Sequence, residues 1–150
     1  MSHAFNGMAS LGEHCAYVDP KYRLATFKDW IYDSEPAARC TSENLAKAGF
    51  ISAVTPDDPY AASCAFCLKT LQWDAQDDPK QEHKLHCPKC LFVTTALEVP
   101  SDELTTEDAI RLIFHRYGNI SCTAFRELHT QGALFEENIT SQVEKLTKNL

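Results

Sequence analysis

The chain has 150 residues, 44% hydrophobic and 23% charged, with 14 Lys+Arg against 21 Asp+Glu and a net charge of −7. That length fits one domain, or one small domain with an appended segment, and excludes a large multi-domain enzyme. The acidic balance argues against a nucleic-acid binder that relies on positive charge, and no apolar run approaches the roughly 20 residues of a membrane span.

The opening residues show no periodicity and no apolar signal-peptide core, so residues 1 to about 18 read as a loose arm of an intracellular protein. A short helix is expected after Pro20, carrying Tyr22, Leu24, Ala25 and Phe27 and closing near Trp30. Asp33–Arg39 reads as a loop. A second short helix follows, capped by Thr41 or Ser42, with Leu45 and Ala48 apolar and Gly49 in the left-handed position at its end. Phe50–Val54 alternates like a strand, and after the Pro56-Asp57-Asp58-Pro59 turn two further strands should run into and out of Cys64–Cys67, ending near Trp73. Asp78-Pro79 opens a helix: the aspartate can accept from free backbone amides, proline fits the first helical position, and Gln81 has capping-box spacing. That helix carries Glu82, His83 and His86 and must end before Pro88; Leu91-Phe92-Val93 then returns to the core. From Thr105 or Thr106 a helical spacing runs through Ile110, Ile113, Phe114, Tyr117, Phe125, Leu128, Phe135, Ile139, Val143, Leu146 and Leu150, with weak joints at Gly118 and Gly132. It reads as one long helix or as two to three end to end.

Of seven cysteines, Cys64, Cys67, Cys87 and Cys90 form two Cys-x2-Cys pairs within 27 residues, with His83 and His86 between them. Such clustering points to zinc, which takes four sulfur or nitrogen ligands and is structural when the set is closed. Two sets compete: Cys64, Cys67, Cys87 and Cys90, which spacing alone slightly favours; or Cys64, Cys67, His83 and Cys90, which the fixed register of the Asp78-Pro79 helix favours. Cys15, Cys40 and Cys122 stand alone and read as ordinary small side chains.

In order along the chain stand Arg23-Leu-Ala-Thr26-Phe27-x2-Trp30, Leu45-Ala46-x-Ala48-Gly49-Phe50, Cys64-Ala-Phe66-Cys67, Leu71-x-Trp73, Asp77-Asp78-Pro79, Glu82-His83 and Cys90-Leu-Phe92-Val93. This order resembles the baculoviral inhibitor-of-apoptosis repeat, the BIR family, over residues 20 to 95. With one repeat and a helical tail, it resembles the survivin-type branch and its nematode members in particular. The resemblance implies an α+β fold: a small zinc-stapled domain, with a three-stranded antiparallel sheet and short helices, at 20–95, an arm at 1–19 and a helical tail at 96–150. It implies one structural Zn2+ on Cys64, Cys67, His83 and Cys90, deciding the open choice against Cys87, and a buried structural Arg23. A closed ligand set and the lack of a nucleophile–base pair lead to the expectation of no enzymatic activity.

The resemblance further implies a groove for an extended peptide with a free N-terminal alanine. Leu71 and Trp73 match its wall and Asp77 its amine-binding carboxylate, with Glu82 a further acid. Lys69 and His86 match the residues that read a phosphorylated third residue of a histone tail. Gln72 departs: it stands where survivin-type members carry a second amine-binding acid. Cysteine and histidine for a RING-type second cluster are missing, so ubiquitin-ligase activity has no support. The stripe from Ile110 to Leu150 exceeds what so small a domain can bury, so it needs a partner. By resemblance the partners are helical subunits of a chromosomal passenger complex with an Aurora-type kinase, at centromeres, the spindle midzone and in the cytoplasm; a homodimer is the simpler alternative. The competing function is an inhibitor of apoptosis that binds caspases or their antagonists through the same groove. Neither direct nucleic-acid binding nor membrane association is expected.

Overall fold

The computed structural model describes residues 11–147, with side chains described for residues 12–141. By packing the chain divides into two units, Met1–Tyr117 and Gly118–Leu150.

The first unit opens with helix α1 (Leu11–Ala16). The reading of a loose arm is therefore corrected from Leu11 onward: His14 is buried and its ring meets Tyr117 edge-on at 5.4 Å. Helix α2 (Pro20–Leu24) starts where Asp19 accepts from the Lys21 amide and Pro20 takes the first turn. It stops well short of Trp30: after Leu24 the amides of Thr26 and Phe27 donate to the carbonyls of Arg23 and Leu24 in turns, and Asp29 then adopts a left-handed φ of 53°. A 3-10 turn (Ile31–Ser34) then places Tyr32, whose hydroxyl donates to the Trp73 carbonyl at 2.8 Å.

Helix α3 (Ser42–Lys47) is capped by the Thr41 hydroxyl, which accepts from the Asn44 amide. Gly49 leaves it at φ +92°, a conformation that favours glycine. A Cβ there would also stand 2.7 Å from the Phe92 ring. The turn feeds a three-stranded antiparallel sheet, in order β1 (Phe50–Ser52), β2 (Ala61–Cys64) and β3 (Thr70–Gln72). Its register pairs Phe50 with Cys64 and Ala62 with Leu71.

Helix α4 (Pro79–His86) begins as the sequence indicates, with Asp78 accepting from the Lys80 and Gln81 amides. Leu91-Phe92-Val93 does return to the core, but as helix α5 (Leu91–Thr95), in which only Phe92 is fully buried. The core gathers Trp30, Leu45, Phe50, Phe66, Trp73, Phe92 and Leu112. Arg23 is buried beneath it: its guanidinium lies over the Phe92 ring at 5.2 Å and donates to the carbonyls of Tyr17, Val18 and Ala46. Three carbonyl acceptors and an aromatic face satisfy a charge that burial alone would make costly, and burial lowers its pKa to about 10.

Helix α6 (Thr106–Thr147) is one continuous helix, so neither Gly118 nor Gly132 breaks it. Its start is capped by Thr105, whose Oγ1 accepts from the Asp108 amide and donates to the Asp108 carboxylate. Within the first unit its inward positions are Leu112, fully buried, and Arg116. Arg116 lies 3.6 Å over the Tyr17 ring and donates to the Ala65 carbonyl in the zinc knuckle. In the second unit, Phe125, Leu128, Leu134, Phe135 and Ile139 are all exposed.

Candidate metal centre and peptide groove

The metal site is assembled from three elements. Cys64 ends β2, Cys67 closes the tight turn after it, His83 lies mid-way along α4, and Cys90 precedes α5. The turn is a sulfur-centred knuckle: the amides of Phe66 and Cys67 point at Cys64 Sγ at 3.3 and 3.4 Å. Leu68 completes it at φ 64° while its amide donates to the Cys64 carbonyl.

The ligand atoms of Cys64, Cys67, His83 and Cys90 all lie within 4.8 Å of one another. Cys64 Sγ and Cys90 Sγ are 3.8 Å apart, which matches the edge of a tetrahedron with Zn–S bonds of about 2.3 Å. His83 donates through Nδ1 to the Ala48 carbonyl at 2.7 Å, which fixes the ring and turns Nε2 toward the sulfurs. Nε2 is buried without a hydrogen-bond partner. An orphaned imidazole nitrogen facing three sulfurs is what a zinc ligand requires. Among the described residues the chain therefore carries one structural zinc site, and Cys87 lies outside the set.

The side chains of the cluster perturb one another's titration. Burial lowers the His83 imidazole, but the Cys67 and Cys90 thiols outweigh it and raise the pKa to about 9. Burial pushes the Cys64 thiol up, whereas hydrogen bonds from Cys64 and Cys90 pull Cys67 down toward a thiolate. Cys87 is pushed up to about 12, chiefly by burial and then by the nearby Cys67.

Of the predicted groove residues, Leu71 and Gln72 lie on β3 and Lys69 and Trp73 flank it; β3 has no strand on its far side among the described residues. The Cys64 amide donates to the Lys69 carbonyl at 2.9 Å and the Trp73 amide to the Tyr60 carbonyl at 3.1 Å. Residues 69, 71 and 73 therefore bond inward, and by antiparallel alternation the backbone groups of Thr70 and Gln72 face the open edge. Leu71 is half-buried and Lys69 exposed. Trp73 differs from an open wall: it is 2% exposed and stands edge-on against Phe50 at 4.8 Å. Its buried Nε1 has no partner. Asp77 is half-buried, with Oδ2 accepting from the Asp74 amide at 2.8 Å. Glu82 and His86 lie 3.2 Å apart on one face of α4.

One residue that sequence reasoning missed joins this set. Asp58, which reads as an ordinary turn residue in the sequence, accepts from Gln72 Nε2 at 3.0 Å.

In the tail stripe, Ile110 and Phe114 are exposed, Phe114 by 62%, while Ile113 and Tyr117 are half-buried. Phe125, Leu128, Phe135 and Ile139 are exposed, and the side chains of Val143 and Leu146 lie outside the described residues.

Comparison with known proteins gives a consistent answer. The family profile described as "Inhibitor of Apoptosis domain", BIR, matches residues 23–94. Baculoviral IAP repeat-containing protein 5 of Mus musculus is 40% identical over 99 residues, covering 65% of this chain and 68% of that protein. Baculoviral IAP repeat-containing protein 5.2-A of Xenopus laevis is 43% identical over 91 residues, 60% of this chain and 55% of that protein. The match to Caenorhabditis elegans bir-2 is 37% identical and covers 65% of this chain and 32% of that protein. The chain thus spans little more than half the length of the Xenopus relatives it matches. Among solved structures, the first BIR domain of DIAP1 bound to a Grim peptide is similar at 27% identity and a TM-score of 0.41, covering 65% of this chain and 92% of that one.

Proposed function

The chain belongs to the BIR family, and from that premise we propose that this survivin-like protein is a non-enzymatic adaptor that reads the free N-terminus of a peptide. The observation that carries the reading is the open edge of β3, with Leu71 beside it and Asp77 beyond its end.

An extended peptide can add to this edge antiparallel to β3, through the backbone groups of Thr70 and Gln72. Antiparallel addition sets its direction. The first peptide residue falls toward the C-terminal end of β3, where Asp77 offers a carboxylate to the ammonium. The third falls two residues back, toward Lys69, about 7 Å away at strand rise. A phosphate on that third residue would meet Lys69, with His86 on the neighbouring helix. Zinc takes no chemical part, because four protein ligands fill its tetrahedron and leave no position for a reactive water.

The natural ligand in this reading is a histone tail, and the exposed face of α6 docks helical subunits of a chromosomal passenger complex in mitosis, at chromosomes and the spindle midzone.

The test is fluorescence anisotropy on the zinc-loaded full chain. Labelled peptides begin with free Ala-Arg-Thr, with and without phosphate on the threonine, beside an N-acetylated control. Tightest binding to the phosphorylated free-amine peptide, lost on acetylation and in Asp77→Ala, supports the histone reading. Equal affinity with and without phosphate moves the function to capture of apoptotic-type N-termini. Equal binding of the acetylated peptide sinks both.

A further inference from the structure

The open edge ends in a polar pair, Gln72 and Asp58, of which Asp58 has no role in the sequence pattern or the family resemblance. Gln72 stands on β3 with its backbone facing the edge, and its side chain is neutral where an ammonium ligand wants negative charge. The structure supplies that charge one bond further back. Gln72 Nε2 donates to Asp58 Oδ2 at 3.0 Å.

Asp58 is not loosely placed. Its amide donates to the Thr55 carbonyl at 3.1 Å and its carbonyl accepts from the Thr55 amide at 3.0 Å, closing a two-residue bridge. The Thr55 hydroxyl accepts from the same amide at 3.0 Å. The carboxylate is half-buried and takes part in no ion pair among the described residues. Two consequences follow from elementary chemistry. Once the Gln72 NH2 group is committed to Asp58, its Oε1 is turned away as a free acceptor. The carboxylate polarises that amide, so the acceptor presented to a donor is stronger than an isolated amide oxygen.

We propose that Asp58 is a specificity-determining residue of the groove. Held by the 55–58 turn and acting through Gln72, it supplies the negative charge that favours a free ammonium on the first residue of a bound peptide. This rests on the peptide-reading function proposed above and names the group that replaces the acid missing at Gln72. The peptide therefore meets one carboxylate directly, Asp77, and a second at one remove.

The experiment uses the zinc-loaded full chain and the same free-amine and N-acetylated Ala-Arg-Thr peptides. Asp58→Asn keeps the size of the side chain and removes its charge. It is expected to weaken binding of the free-amine peptide by about three- to tenfold, leave the acetylated peptide unchanged and leave Tm unchanged, with a loss that shrinks as salt screens the charge. The double variant Asp58→Asn/Gln72→Glu restores a carboxylate at the edge and should return affinity to within about twofold of the parent. Unchanged binding in Asp58→Asn, while Asp77→Ala abolishes it, overturns the role of Asp58 and leaves the peptide reading standing. Equal weakening of free and acetylated peptides also overturns it, by showing that the turn merely shapes the edge. If the parent chain does not distinguish the two peptides, the underlying reading has failed and the inference falls with it.

Discussion

The two units of the chain keep their shape by opposite means. Among the described residues the first has nine short elements before α6, none of its helices there longer than eight residues, and could not hold them by backbone propensity. It relies on a metal and on a dry core in which Phe66 stacks on Phe92 at 4.9 Å. The second is a single run of helix whose large side chains face solvent, Phe125 by 70% and Phe135 by 69%. The difference teaches where each does its work. The strand edge proposed to take a peptide is built on a cross-linked core, while the helix proposed to dock a partner leaves its large apolar side chains uncovered.

The comparison breaks most readily at the metal. Chelation of zinc should unfold the first unit, since structural zinc contributes apparent folding energies of about 10–16 kcal/mol, comparable to the whole stability of a small domain. Near-ultraviolet circular dichroism and a red shift of tryptophan emission would report it, both tryptophans being buried there. Retention of the native spectrum after chelation would contradict a structural role. Next comes the core. Phe50→Ala should cost about 3–5 kcal/mol in urea unfolding, whereas Phe135→Ala should change stability by under about 0.5 kcal/mol and act on partner binding instead.

The glycines sharpen the contrast at a smaller scale. Gly49→Ala should destabilise the first unit by about 1–3 kcal/mol, since the new Cβ meets Phe92 and the φ of +92° suits only glycine. Gly132→Ala meets nothing within 4 Å and should raise helix content, by up to about 1 kcal/mol. The smallest effect is at the surface. Lys84 and Lys80 hydrogen-bond Glu98 and hold its carboxyl below the usual range. A depressed carboxylate stabilises above its unfolded pKa, and the contribution fades as pH falls through the folded value. The pairs are solvent-exposed, so Glu98→Gln should cost only a few tenths of a kcal/mol at neutral pH, and less in high salt.

Local chemistry made much of the first unit legible. Asp78-Pro79 set the register of α4, and with it the placement of His83, because cap and first turn are read from adjacent residues. Gly49 marked its turn for the same reason. What escaped depended on residues far apart in the chain. Helix α1 is stabilised by Tyr117, about a hundred positions away, and carries no stripe of its own. Arg116 looks like a solvent-facing charge until Tyr17 and the Ala65 carbonyl are seen around it. Asp58 gains meaning only once the turn folds it over β3. In the tail, the spacing drew attention to Ile110 and Phe114, whereas Leu112 is the side chain that the first unit covers.

The grip of Arg116 on the zinc knuckle also fixes where this protein can be cut. A fragment trimmed at residue 96, where the repeat pattern ends, would strip the cover from Tyr17, His14 and the Ala65 carbonyl and lose Leu112 from the core. A fragment that runs through Tyr117 keeps these contacts, so the first three turns of α6 are part of the zinc domain's own masonry.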